Sequence, residues 1–207
     1  MLESAAKAIG WLEKSSVQAQ VLLDAGVAPH LSQLLSPSFA STAGMIESAA
    51  KAIAWLSTSS AQAQVLLDVR VTPHLTWLLD PSSASTASML EWVSEAIARL
   101  SNPTAQAHVF LNDRVALHLT QLLDLSSAST AGTLEWVAEA TTQLSRSSAQ
   151  AEVLLDTGVA AHLTQSLDTS SASTADTLES AAKASVWLAK SSVQAQVLSM
   201  TESPVMN

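Results

Sequence analysis

A chain of 207 residues with 48% hydrophobic and only 13% charged residues has ample side chains for a packed core and lacks the composition of a disordered segment. Its formal charge of −9 argues against duplex DNA or RNA as a partner, because phosphate backbones demand clustered Lys and Arg. With no Cys there is no disulfide framework, thiol nucleophile or Cys-based zinc site. No apolar run is long enough for a bilayer, and no basic start leads into a signal-like stretch. A cytoplasmic protein is therefore expected, with the nucleus also open to it.

The chain repeats itself. Leu2, Ile46, Leu90, Leu134 and Leu178 open five versions of one 44-residue pattern, and Val27, Val71, Val115 and Val159 mark its midpoint. The first two versions share about 30 identical positions, well above chance similarity. A unit of that size cannot bury its own apolar face and must stack on its neighbours, so a solenoid is predicted.

Taken in order, residues 1–14 read as a partial unit holding only a third helix. Four units follow, over 15–58, 59–102, 103–146 and 147–190, and 191–207 hold a first helix and a tail. In the unit at 15–58 the first helix runs from Ser16 to Asp24, with Val17, Val21, Leu22 and Ala25 at helical spacing. Gly26 ends it in a conformation suited to positive φ. Gly158 repeats that choice, while Arg70 and Arg114 replace it at the cost of local strain. The second helix begins near Ala28-Pro29, where Pro is tolerated in the first turn, and turns Leu31, Leu34 and Leu35 inward.

A Ser/Thr/Ala linker then leads to the third helix. Gly44, Ser88, Gly132 and Asp176 hold the predicted cap position, with Glu47, Glu91, Glu135 and Glu179 three residues later as in a capping box. Ile46, Ala49, Ala50, Ile53 and Leu56 form the predicted buried stripe. The first unit lacks its cap, and Ser192 to Leu198 repeats a first helix with no second helix after it. Solenoids need polar terminal units, so the expectation is a segment of a longer array or end-to-end self-association.

The string Gln20 to Leu35, with its Gly26-Val27-Ala28-Pro29-His30-Leu31 core, resembles the first two helices of an armadillo repeat. Glu47 to Ile53 is similar to the opening of that family's third helix. The resemblance spans the chain in about four and a half copies and implies an all-α, right-handed α-solenoid of three-helix units. It also implies a concave groove, lined by third helices, that holds extended peptides. In nuclear-import receptors of this family an Asn on the third helix clamps the peptide backbone, one turn after a Trp. The matching Asn positions hold Trp11, Trp55, Arg99, Gln143 and Trp187, and the matching Trp positions hold Lys7, Lys51, Glu95, Glu139 and Lys183. That clamp is therefore not implied.

The stripe made by the fourth, seventh and eleventh residues of each third helix contains one Trp per copy: Trp11, Trp55, Trp92, Trp136 and Trp187. Three lie near the helix end and two lie about two turns earlier, roughly 10 Å along the axis. Lys7, Lys51 and Lys183 stand one turn from Trp, within reach of cation–π contact. Glu95 and Arg99 form an i,i+4 pair, and Glu139 precedes Gln143 at the same spacing. Two readings stand. The Trp residues fill space between adjacent helices, or they form shelves for an extended peptide, with acidic residues preferred at the ends and a basic one centrally.

The ladder His30, His74, His118 and His162 is too widely spaced to converge on one metal ion, and Trp77 reads as packing or edge contact. No phosphate loop or isolated nucleophile–base set stands out from the repetition, so neither an enzyme nor a cofactor is expected. A protein-interaction module with a protein or peptide partner is the leading expectation. A structural, self-stacking scaffold segment is the alternative.

Overall fold

The computed structural model describes residues 16–37, 41–80, 83, 85–101, 113–124, 130–168 and 175–201, and every regular element among them is an α-helix. In chain order these are α1 (Ser16–Asp24), α2 (Val27–Leu35), α3 (Ala43–Leu56), α4 (Ser60–Asp68), α5 (Val71–Leu79) and α6 (Ala87–Ser101). They continue as α7 (Asp113–Leu123), α8 (Ala131–Leu144), α9 (Ser148–Asp156), α10 (Val159–Asp168) and α11 (Ala175–Thr201). None of the described helices is long and apolar enough to cross a membrane.

The junction between first and second helices follows from backbone sterics. Gly26 (φ 81°) joins α1 to α2 and Gly158 (φ 83°) joins α9 to α10, both left-handed. Arg70 takes the same conformation (φ 60°) between α4 and α5, which costs a residue with a Cβ about 1–2 kcal/mol. Arg114 departs from expectation. It lies in the first turn of α7 without a positive φ, so the helix starts before it and no left-handed strain arises.

The inward face of α1 is also shifted from the predicted one. Val17 and Val21 point outward, whereas Ala19 and Leu23 are buried and Leu22 packs on the core. In α4, Ala63, Leu66 and Leu67 repeat that face. The spacing i, i+3, i+4 selects it. In the second helices, Leu31, Leu34 and Leu35 are buried as expected, and so are Leu75, Leu78 and Leu79.

The third helices begin earlier than the capping-box pattern implies. Thr42, extended at φ −76° and ψ 157°, accepts from the Met45 amide, and Thr86 and Thr130 do the same for Met89 and Thr133. A Thr hydroxyl two residues before the predicted cap satisfies the free donors first, which places Gly44, Ser88 and Gly132 inside their helices. The Glu residues freed from that role reach neighbouring third helices: Ser88 Oγ donates to Glu47 at 2.8 Å and Thr130 Oγ1 to Glu91 at 3.4 Å.

Third helices stack in series, α3 on α6, α6 on α8 and α8 on α11, and these are the most extensive contacts between described elements. Ala49, Ala50, Ala52, Ile53 and Leu56 are buried in α3, with Val93, Ala96, Ile97 and Leu100 doing the same in α6. Small Ala side chains let the helices approach while Ile and Leu fill the layer behind them. Ile46, predicted buried, is partly covered and packs on this core.

The last helix shows the largest departure. Where α3 and α8 stop at Ser57 and Ser145, α11 runs unbroken to Thr201 through the place where a separate first helix was predicted. Ser57 Oγ bonds to the Ile53 carbonyl and Ser145 Oγ to the Thr142 carbonyl, competing with the helical ladder. The equivalent position in α11 is Ala189, followed by Lys190, and both are strong helix formers.

Candidate functional site

The face of the third helices at the margin of the core carries the Trp and charged residues, and what each meets depends on the stacking offset. Lys51 Nζ sits 4.8 Å from the Trp55 ring centre and 4.5 Å from that of Trp92, on the next helix. The two indoles meet edge to face, 6.1 Å apart at 89°. Trp55, Trp92 and Trp136 are all half-buried against the core, so each packs on it and keeps part of its ring exposed. The space-filling reading of these three residues thus holds in part.

Farther along, Arg99 of α6 lies 5.7 Å over the Trp136 ring of α8 and pairs with Glu95 at 2.6 Å. Glu95 itself is 5% exposed. Burial outweighs the adjacent guanidinium and raises its carboxyl above the ordinary value. Gln143 donates to Glu139 one turn earlier on α8, yet its own carbonyl oxygen, 93% buried by residue, meets no donor.

At the far end the pairing differs from the predicted one. Lys183 contacts Glu179 at 2.6 Å, and Trp187 is faced by Lys190 (4.7 Å) and by Arg146 from the end of α8 (5.5 Å). A Glu placed one turn before a Lys is the favoured helical orientation, and it draws Lys183 from the indole. Lys7 and Trp11 lie outside the described residues.

Between these aromatic stations lies an open depression of about 560 Å³. It reaches from Ser57 and Thr58 after α3, across Ala98 and Arg99 of α6 and Glu135, Trp136, Glu139 and Gln143 of α8, to Ser180 and Lys183 of α11. Its two cations are engaged with Glu95 and Glu179. Glu135 and Glu139 form no ion pair among the described residues. Burial raises the Glu135 carboxyl, and the nearby Asp176, Glu91 and Glu139 carboxylates raise it further. Gly132 makes room for that crowding, since a Cβ there would meet the Glu91 carboxylate at 2.6 Å. No group of His, Asp and Glu among the described residues is arranged to hold a metal ion.

The structure thus joins Lys51, Trp55 and Trp92 in one cluster and Glu95, Arg99 and Trp136 in a second. Glu139, Gln143 and Lys183 share the depression with that second cluster, while Trp187 stands apart with its own cations. Arg146, Lys190 and Glu135 lie beside these clusters and were not part of the predicted stripe. Lys51 to Trp92 and Arg146 to Trp187 span equal lengths of sequence, so a repeat-offset search for cations would have found Arg146.

No protein-family model and no curated protein matches this chain. Solved structures do. A designed armadillo repeat protein superposes with a TM-score of 0.77 at 20% identity, over 99% of this chain and 87% of the other. A second, in complex with peptide (KR)4, gives 0.75 at 19% identity over 98% and 86%. A computationally designed armadillo repeat protein for modular peptide recognition gives 0.74 at 22% identity over 88% and 74%. With its stacked third helices and left-handed junctions between first and second helices, the chain has the armadillo-like α-solenoid fold.

Proposed function

We propose that this chain is a protein-interaction module whose third-helix face holds an extended peptide, with the central depression taking a cationic side chain. One observation carries the reading. Glu135 and Glu139 line the depression and form no ion pair among the described residues. An Arg or Lys side chain brings positive charge and several donors for these two carboxylates. Arg99 already covers the Trp136 ring, so the incoming cation is directed to the carboxylates and not onto the indole. Toward the ends, Lys51 between two indoles and Arg146 with Lys190 beside Trp187 favour acidic peptide residues. A designed armadillo repeat protein of similar fold in complex with peptide (KR)4 supports a peptide that carries basic residues as the class of ligand.

Isothermal titration of the chain with peptides that carry one Arg between acidic flanks tests this reading. The Glu135→Gln, Glu139→Gln double variant should weaken binding about tenfold or more, since charge-assisted hydrogen bonds to two carboxylates are lost. Equal affinity in wild type and double variant would overturn the pocket assignment.

A further inference from the structure

The outer face of α11 exposes positions that every other described third helix buries. Ala182, Val186 and Ala189 are exposed, Val186 at 65%. The positions equivalent to Ala182 are Ala50, Ser94 and Ala138, none more than 1% exposed. Those equivalent to Val186 are Ala54, Ala98 and Thr142, at most 3% exposed, and those equivalent to Ala189 are Ser57, Ser101 and Ser145, at most 6%. Val193, two turns beyond Val186 on the same side of the helix, adds a fourth uncovered residue at 60%. Residues at these steps of four, three and four make one continuous apolar stripe.

What covers such a stripe is already present in the molecule. Within the chain, each third helix is covered by the third helix that follows it, as α6 covers α3, α8 covers α6 and α11 covers α8. The opposite end offers a matching deficit. Val21 of α1 is 62% exposed, whereas its equivalents Val65 and Val153 pack on the core. The helix that carries Val65, α4, touches α1, α2 and α3 of the preceding unit. In this structure α11 thus exposes the face that the next third helix covers elsewhere in the chain, and α1 exposes Val21, whose equivalents are covered.

We propose that a second copy of this chain stacks head to tail on α11, its α1 end meeting the Ala182–Val186–Ala189–Val193 stripe. The contact continues the unit-to-unit interface that the fold already builds from nearly the same residues. It is a heterologous contact, using different surfaces on the two copies, so assembly extends beyond dimers or closes into a ring.

Sedimentation equilibrium of the 207-residue chain, 21.6 kDa, tests the proposal. The mean mass should rise with concentration up to about 0.1 mM, a range that reveals even weak association. Val186→Glu and Val21→Glu each change an exposed side chain, so circular dichroism should show unaltered helix content. Each should weaken self-association about tenfold or more. Mixed together, the two variants should form a one-to-one complex, because each retains the end that the other has lost. A wild-type chain that stays monomeric throughout would overturn the proposal. So would a Val21→Glu variant that associates as strongly as wild type, which would signify tail-to-tail pairing.

Discussion

The two faces of the third helices obey different rules. Inward, α3, α6 and α8 present nearly the same small and branched residues: Ala49, Ala52 and Ile53 in one, Val93, Ala96 and Ile97 in the next, Val137, Ala140 and Thr141 in the third. Outward, the equivalent stripe changes charge from copy to copy, from Lys51 and Trp55 to Glu95 and Arg99 to Glu139 and Gln143. A packed layer tolerates few volumes, so the inward side repeats. The other side is shaped by local pairing at the margin of the core, and each copy finds a different partner for its charge. Side-chain chemistry can therefore vary along a rod whose stacking does not.

That contrast makes graded predictions. The largest effect belongs to the inward face. Ile97→Ala in α6 should cost about 2–5 kcal/mol, read from urea or thermal unfolding, because its fully buried side chain leaves a cavity between helices. Ser94→Ala should do the opposite. Ser94 is fully buried with a hydroxyl that finds no partner, where two of the equivalent buried positions hold Ala50 and Ala138. Removing the orphan hydroxyl should stabilise the chain by about 1 kcal/mol. A loss on Ser94→Ala would show that the inward face is not interchangeable between copies. The smallest effect belongs outward: Lys51→Met should cost only about 0.5–1 kcal/mol, the worth of a partly exposed cation–π contact.

The helical repeat was legible because its causes are local. Gly26 and Gly158 mark left-handed junctions, and Leu31, Leu34 and Leu35 repeat an inward face within one helix. The Thr42, Thr86 and Thr130 caps were less so, because Thr and the small residues after it compete for the same free amides. Continuation of α11 past Ala189 rests on the exchange of Ser for Ala, a small change in a helix-forming balance. The site was legible only in part. Lys183 had two candidate partners one turn away, Glu179 and Trp187, and the chain sequence alone does not rank them. Arg146 reaches Trp187, and Lys51 reaches Trp92, only through the offset between stacked helices, which is a property of the assembled rod.

Nuclear magnetic resonance titration of the Glu135 side chain, with and without an Arg-centred peptide, tests the proposed pocket most directly. In the free chain, burial and neighbouring carboxylates hold this group above its ordinary range. A bound guanidinium stabilises the ionised form, so the titration should move to lower pH, and peptide affinity should fall as acid protonates Glu135 through its raised range. An unchanged Glu135 titration at saturating peptide would contradict the placement of a cationic side chain in the central depression.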